Sequence, residues 1–551
     1  PAAAGAHEPP LWVRTVPLKE RRRLEINWYV TSLLDAHKSK PEAFIVHVLG
    51  HECDGSLLWA LQQEGLAYSL CAGIDDDEHT SNSGRFSIMV ELTPHGLEEV
   101  EHVLELIHGG IGHLARSANE LGSYYDEINQ ICKLRFEFAE SEPEIDYVRR
   151  LAISMQRGFD PDETLSADYL INEYDQKAVN KLLESLTPST AITTLTHKPS
   201  EEDDDAKSKW ETEEWFGTRY TSEKVDESRL ARWQAAYNGK GAPPSSGAFT
   251  LPPPNPFLPT KFQLVNDGVV SDPTRTSRPP PELLLSDQRG QLFHAPDVRF
   301  ATPKAVCCLQ IEIAQQQDAS DTKALVEKRV LEEIAAKYII EAINAETYAA
   351  TLCGYTYELT TSEHGWHIEV HGFSDKLPPL LVKLCSSLKA LADAPQADQT
   401  ILKRVITAYE LKMANANFGA AELATDERLR CLEPKWINGD DRLNALPIVT
   451  PSKLSSRMAE TLKSGIQLVV YTGGNLNVAD AKAIFDSCHD ALGSPKPLEP
   501  LPPLGRCVQL NPGRASRSAY CRNPTDENCA VDMYWQIGTD DGSKVSGKLA
   551  L

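Results

Sequence analysis

Positive charge is scarce in this chain. Against 79 Asp and Glu stand 55 Lys and Arg, a formal net charge of −24. That balance argues against nucleic acid and anionic membranes as partners, because counterion release needs clustered Lys and Arg. The one tight basic group, Lys19-Glu-Arg21-Arg22-Arg23, leads into a strand-like apolar run and reads as a solvated face. Long apolar runs are also missing, and none approaches the roughly 18 residues of a membrane span. The first residues, Pro1 to His7, lack a charged segment followed by an apolar one, so no signal peptide is expected. The 12 cysteines form no Cys-x-x-Cys pair, and Cys307 and Cys308 are adjacent. This suits reduced thiols and a cytoplasmic setting rather than a disulfide framework. Two catalytic signatures are absent as well. Neither His-Glu-x-x-His nor its inverse His-x-x-Glu-His occurs. Ser56, Ser362 and the cysteines show no nucleophile elbow or Cys–His pattern, which leaves covalent catalysis without support.

What is present is most informative at His47-Val-Leu-Gly50-His51-Glu52-Cys-Asp-Gly55-Ser56 and, just after it, Gly65-Leu-Ala-Tyr68-Ser-Leu70-Cys-Ala72-Gly73. His47 and His51 are four apart, which on a helix stacks both imidazoles on one face. No carboxylate follows at a ligand spacing, so the preferred reading is polar groups satisfied near a helix end, with metal ligation the alternative. His364, His367 and His371 surround an expected strand on which only the last two share a face, and they read as surface or core residues.

A chain of 551 residues exceeds one core and implies three or four domains. Pro-rich breaks divide it into a unit at 1–240, a linker at 241–262, a unit at 263–493, a linker at 494–504 and a remainder at 505–551. The acidic run Glu201 to Asp205 reads as a solvated loop. In the first unit Pro41 opens a helix carrying Phe44, Val48 and Leu49 that ends near Gly50. Ser56 caps a second helix stopped by Gly65. Phe86, Ile88, Val90 and Leu92 alternate as a half-buried strand. Thr93-Pro94 starts a helix through Ile111, and 124–155 and 164–186 are expected to be helical. The second unit repeats the plan: Gly354-Tyr-Thr-Tyr357 answers Gly65-Leu-Ala-Tyr68, Trp366 to His371 answers Phe86 to Glu91, and helices follow from Leu377 and Val405. The pattern predicts an α+β class with an internal duplication.

Several motifs besides residues 47–73 share one resemblance. They are Leu134-Arg-Phe-Glu-Phe138, Thr212-Glu-Glu-Trp215-Phe-Gly217-Thr-Arg-Tyr220, Asn255-Pro-Phe257-Leu-Pro259-Thr260-Lys-Phe262, Thr302-Pro303-Lys304-Ala305-Val-Cys307 and Tyr348-Ala-Ala-Thr-Leu-Cys-Gly354-Tyr-Thr-Tyr357. In this order they resemble the insulysin/pitrilysin zinc endopeptidases. The resemblance implies repeated metallopeptidase-like α+β domains, each a mainly antiparallel sheet covered by helices and enclosing a peptide chamber. It implies that this chain corresponds to the second and third domains and the start of the fourth, closing at Ser543 to Leu551 on a helix barely begun. The zinc ligands of the family lie in the first domain, so zinc would belong to the complete enzyme, with no catalytic or metal residue here.

What the resemblance does carry onto these residues is a substrate exosite: His47, Gly50 and Glu52 near the helix end, and Leu70, Ala72 and Gly73 on an edge strand. Glu52 would attract the amino group of a peptide whose backbone adds to that strand. Small residues at 72 and 73 would let the backbones approach, although the family usually has Gly where Ala72 stands. The expected partners are peptide substrates, the zinc domain in cis or in trans, and a second copy of the chain. Three functions follow: the non-catalytic middle of a zinc endopeptidase, an inactive scaffold homologue, or a peptide-binding subunit that works with a separate zinc-bearing chain.

Overall fold

A computed structural model describes residues 8–74, 79–199, 210–265, 280–313, 322–362, 364–433, 436–498, 508–523 and 527–536. The acidic run at 201–205 and the closing segment 543–551 lie outside the described residues.

Two mixed sheets organise the chain. The first uses β1 (Leu11–Thr15), β2 (Arg22–Thr31), β3 (Ala67–Ile74), β4 (Ser83–Leu92), β5 (Ile192–His197), β6 (Glu211–Thr212) and β7 (Arg219–Lys224), in the order β3-β4-β2-β5-β1-β7-β6. The second uses β8 (Glu282–Asp287), β9 (Gly290–Pro296), β10 (Lys304–Ile313), β11 (Thr356–Ser362), β12 (Gly365–Phe373) and β13 (Ile466–Gly474), in the order β11-β12-β10-β13-β9-β8. Five strands recur in one order: β3-β4-β2-β5-β1 maps onto β11-β12-β10-β13-β9. The single parallel pairing recurs too, β1 with β5 and β9 with β13. The weak sequence repeat is thus a repeat of topology, and the class is α+β.

Local chemistry accounts for the elements around the candidate site. Pro41 sits in the first turn of the helix Pro41–Leu49, where its missing N–H costs nothing, and Gly50 caps its end. The Ser56 hydroxyl accepts from Trp59 N at 3.2 Å and starts the helix Leu57–Gln63. Gly65, at φ +69°, stops the chain from continuing it. At Gly55, φ +80°, an added Cβ would lie 2.0 Å from Thr250 Oγ1, so only glycine fits. β4 alternates half-buried and buried residues along its whole length.

Three helical expectations need correction. The stretch from Thr93 is two helices, Pro94–Glu98 and Val100–Arg116, because Glu99 leaves the helical region. The stretch 124–155 is also two, Tyr125–Glu137 and Glu144–Gln156, with Pro143 at the start of the second. Within 164–186 only Gln176–Ser185 is helical, capped by Asp175, while turns occupy 164–169 and residues 170–175 are irregular.

The basic group near the start is engaged on its own surface. Arg23 pairs with Glu91 at 2.5 Å, and Lys19 lies over the Phe418 ring.

The two units interlock. On the helix Tyr125–Glu137, Ile128 belongs to the core of the first unit, whereas Ile131 and Leu134 pack into that of the second. The Pro-rich segment 241–262 is an ordered strap. Phe249 and Leu251 pack on the first core, and Phe257 and Leu258 on the second. Between them Asn255 bridges the units: its N–H donates to Glu127 Oε2 (2.9 Å) and its amide to Ala349 O (2.8 Å). The described residues of 505–551 form neither helix nor strand.

Candidate functional site

The residues singled out in the sequence converge on one region. β3 is the outer strand of its sheet, and among the described residues no strand pairs with its far side. Leu70 and Ala72 point into the core, whereas Ser69 and Cys71 are exposed. Leu70 and Ala72 therefore offer a partner only their backbone, and Ala in place of Gly at 72 is a matter of core packing. At Gly73 φ is not positive, and nothing lies within 4 Å of where a Cβ would stand. Neither a turn nor crowding within the fold demands glycine there.

Beside β3, the end of the helix Pro41–Leu49 presents Gly50, His51 and Glu52. The long helix Thr322–Leu352 of the second unit closes over them. Tyr348 donates its hydroxyl to Gly50 O at 2.8 Å, and Asn344 Nδ2 donates to Glu52 Oε2 at 2.5 Å. Glu52 Oε1 has no hydrogen-bond partner among the described residues. Burial raises the Glu52 carboxyl above its ordinary range; the Asn344 bond opposes this, and the Glu341 charge adds to it. Tyr348, pushed up to about 12 chiefly by burial, stays a neutral donor.

His47 and His51 lie near each other at the helix end. Their rings stand 5.7 Å apart. His51 Nδ1 accepts from Cys53 N at 3.1 Å, so it is occupied in capping the chain. His47 Nε2 faces Glu127 Oε1 at 3.5 Å without a hydrogen bond. Burial favours the neutral form of both imidazoles: each is pushed down to about 4, and for His47 the repulsion that would arise if His51 were also protonated adds to the effect. On β12, His367 and His371 flank the Glu369 carboxylate, with His367 Nε2 at 3.3 Å. Among the described residues no group of three His, Cys, Asp or Glu is arranged to hold a metal ion. The donor set a zinc hydrolase needs is not assembled there. No described helix is long and apolar enough to cross a membrane.

Sequence reasoning missed the second unit's share of the site. Glu341, Asn344 and Tyr348 stand at i, i+3 and i+7, one face of the long helix, and all three reach the first unit. Glu341 accepts from Gln62 Nε2 at 3.2 Å and pairs with the buried Arg404, whose guanidinium also donates to Gln62 O at 2.8 Å. The available signal was the helical spacing of these three polar side chains.

An α+β unit occurring twice, with an unpaired outer strand among the described residues, defines the class: a tandem-repeat α+β chain. Comparison makes this specific. The profile described as "Middle or third domain of peptidase_M16" matches residues 136–445, and that of "Peptidase M16 inactive domain" matches residues 4–120. The chain belongs to the peptidase M16 family. It is 25% identical to a nardilysin-like protein of Arabidopsis thaliana over 99% of its own length and 51% of the relative's. To human insulin-degrading enzyme it is 27% identical, covering 96% and 49% respectively. It therefore spans about half the length of the curated relatives it matches. The crystal structure of pitrilysin superposes with a TM-score of 0.60 at 23% identity, over 88% of this chain and 48% of that one. That similarity establishes the fold alone.

Proposed function

We propose that this chain is the non-catalytic part of an M16-type zinc metalloendopeptidase, which helps enclose peptide substrates and anchors them by the amino terminus. The observation that carries the reading is the unpaired edge of β3 packed beside the helix Pro41–Leu49, whose end presents Glu52. An extended peptide adds to β3 through main-chain hydrogen bonds, and its terminal ammonium meets the Glu52 carboxylate. The open space at Gly73 admits a second backbone. The net charge of −24 favours the approach of cationic peptides. The zinc ion, its ligands and the general base belong to another domain, in cis or in trans.

The test is fluorescence anisotropy with a short unstructured peptide labelled at its C-terminal end, its amino terminus either free or acetylated. The free form binds about tenfold more tightly, and Glu52→Gln removes most of that difference. Equal binding of the two forms, or none, would favour the inactive-scaffold reading instead. Intact mass and zinc content of the native protein then separate the cis and trans arrangements. A mass about twice that of this chain with bound zinc means cis, and a zinc-bearing partner chain means trans.

A further inference from the structure

The charge on Glu52 is held by a residue of the other unit. Asn344 comes from the long helix Thr322–Leu352, and its amide lies 2.5 Å from Glu52 Oε2. The helix is fixed in register on both sides of that contact. Toward its start, Glu341 is tied to Gln62 and Arg404. Toward its end, Tyr348 bonds Gly50 O, and its ring lies 5.0 Å from that of His51. Thr347, on the next turn, bonds the Tyr357 hydroxyl of β11 at 2.7 Å. Asn344 is therefore delivered to Glu52 by a rigid, doubly anchored element.

The chemistry of an amide suits this position. A lysine or arginine would neutralise Glu52 and compete with any incoming cation. An apolar residue would leave a half-buried carboxylate without a donor and favour its protonated form. An amide donates one hydrogen bond, fixes one oxygen and leaves the full negative charge and the second oxygen available.

We propose that Asn344 is the positioning residue of the Glu52 anchor, so that the anchor is complete only when the two units are docked. This rests on the reading of Glu52 as the ammonium anchor. The groups facing Glu52 are Glu341 and Tyr348 of the long helix and Tyr357 of β11, with His51 adjacent in the chain. Cys71 of β3 and Arg135 of the helix Tyr125–Glu137 lie near Tyr348. Glu341 is neutralised by Arg404, the tyrosines are neutral, and burial keeps His51 neutral. Glu52 is the group left to set the acid limb of ammonium binding.

The experiment uses the full chain and the same free and acetylated peptides, with anisotropy read from pH 5.5 to 7.5. Wild type is expected to hold its preference for the free amine across this range. Asn344→Leu loses about fivefold of that preference at the acid end and regains part of it as pH rises, because Glu52 now protonates at higher pH. Asn344→Lys keeps the interface closed by pairing with Glu52, yet abolishes the preference at every pH. The lysine variant tests the Glu52 charge, whereas loss of the amide is tested by Asn344→Leu. If Asn344→Leu does not fold, Asn344→Ala read over the same pH range decides in its place. Preference retained within twofold in the folded variants, with a wild-type pH profile, overturns the role of Asn344 and leaves the Glu52 anchor standing. Absence of any preference in wild type overturns the anchor itself.

Discussion

At the scale of single residues, the most exposed prediction concerns a histidine away from the candidate site. His108 is fully buried, stacked on Trp233 at 5.5 Å and edge-on to Trp28 at 6.4 Å, and among the described residues neither ring nitrogen has a hydrogen-bond partner. Burial pushes it down to about 3 from an unfolded value of 6.5. The folded value is depressed, so between these limits the unfolded chain carries the extra proton. The stability due to this group is complete above pH 6.5 and falls as pH drops, by about 1.4 kcal/mol per unit. His108→Phe should lie within about 1 kcal/mol of wild type at pH 7, since it removes two unpartnered polar atoms. It should also flatten the slope between pH 6 and pH 4. Urea midpoints of both proteins across that range give the difference directly. His47 and His51, which act in the same sense, and Glu52 and Glu127, which act in the opposite sense, are common to both and cancel. Parallel curves would show that His108 is not neutral in the native state. From the sequence, His108 was one of several polar residues on an amphipathic helix. Its burial between two tryptophans depends on contacts 80 and 125 positions away (Trp28 and Trp233), which no local pattern reports.

At the scale of elements, what was legible followed from chemistry confined to a few neighbours. Pro41 and Gly50 bracket one helix, Ser56 caps the next, and the alternation of β4 is complete. The break at Glu99 was missed because Leu97 and Val100 carry apolar periodicity across it, whereas the polar run 140–144 with Pro143 did signal the second break. That β3 is an edge strand was inferred from the family resemblance, since strand neighbours are set by pairing at long range. The structure adds a distinction the sequence lacked. Gly55 is required by its backbone and by Thr250, whereas Gly73 is required by neither. This isolates docking from folding. Gly73→Val fills open space on a strand that favours β-branched residues, so its melting temperature should stay within about 2 °C of wild type. Its methyls project out of the sheet plane beside the bound strand, where they crowd the peptide's flanking side chain, so affinity for the free-amine peptide should fall about threefold. Unchanged affinity in anisotropy would mean that the peptide does not run past residue 73.

At the scale of the whole molecule, the repeated sheets explain why a weak sequence repeat was visible, but the function proposed here depends on how the copies dock. Arg404 is the polar centre of that docking, 6% exposed, with Glu341 at 3.0 Å and Gln62 O at 2.8 Å. Arg404→Met keeps much of the apolar stem but leaves the Gln62 carbonyl without its donor and the Glu341 carboxylate with only the Gln62 amide and no opposite charge. Breaking such a pair costs about 3 kcal/mol, mostly the penalty of a charge left unpaired. Adding Glu341→Leu should therefore recover more than half of the loss, a non-additivity that chemical denaturation of the two single variants and the double variant measures. The units share the strap 241–262 and the helix Tyr125–Glu137, so loosening the polar centre does not separate them. It shifts the long helix relative to the first unit. Glu341, Asn344 and Tyr348 share one face of that helix, so the shift reaches Glu52 and Gly50. Arg404→Met should then weaken free-amine peptide binding although Arg404 touches neither β3 nor Glu52, and the acetylated peptide should be little affected. A variant that loses stability yet keeps the wild-type preference would show that docking and anchoring are separate properties, and that the second unit supports the site without completing it.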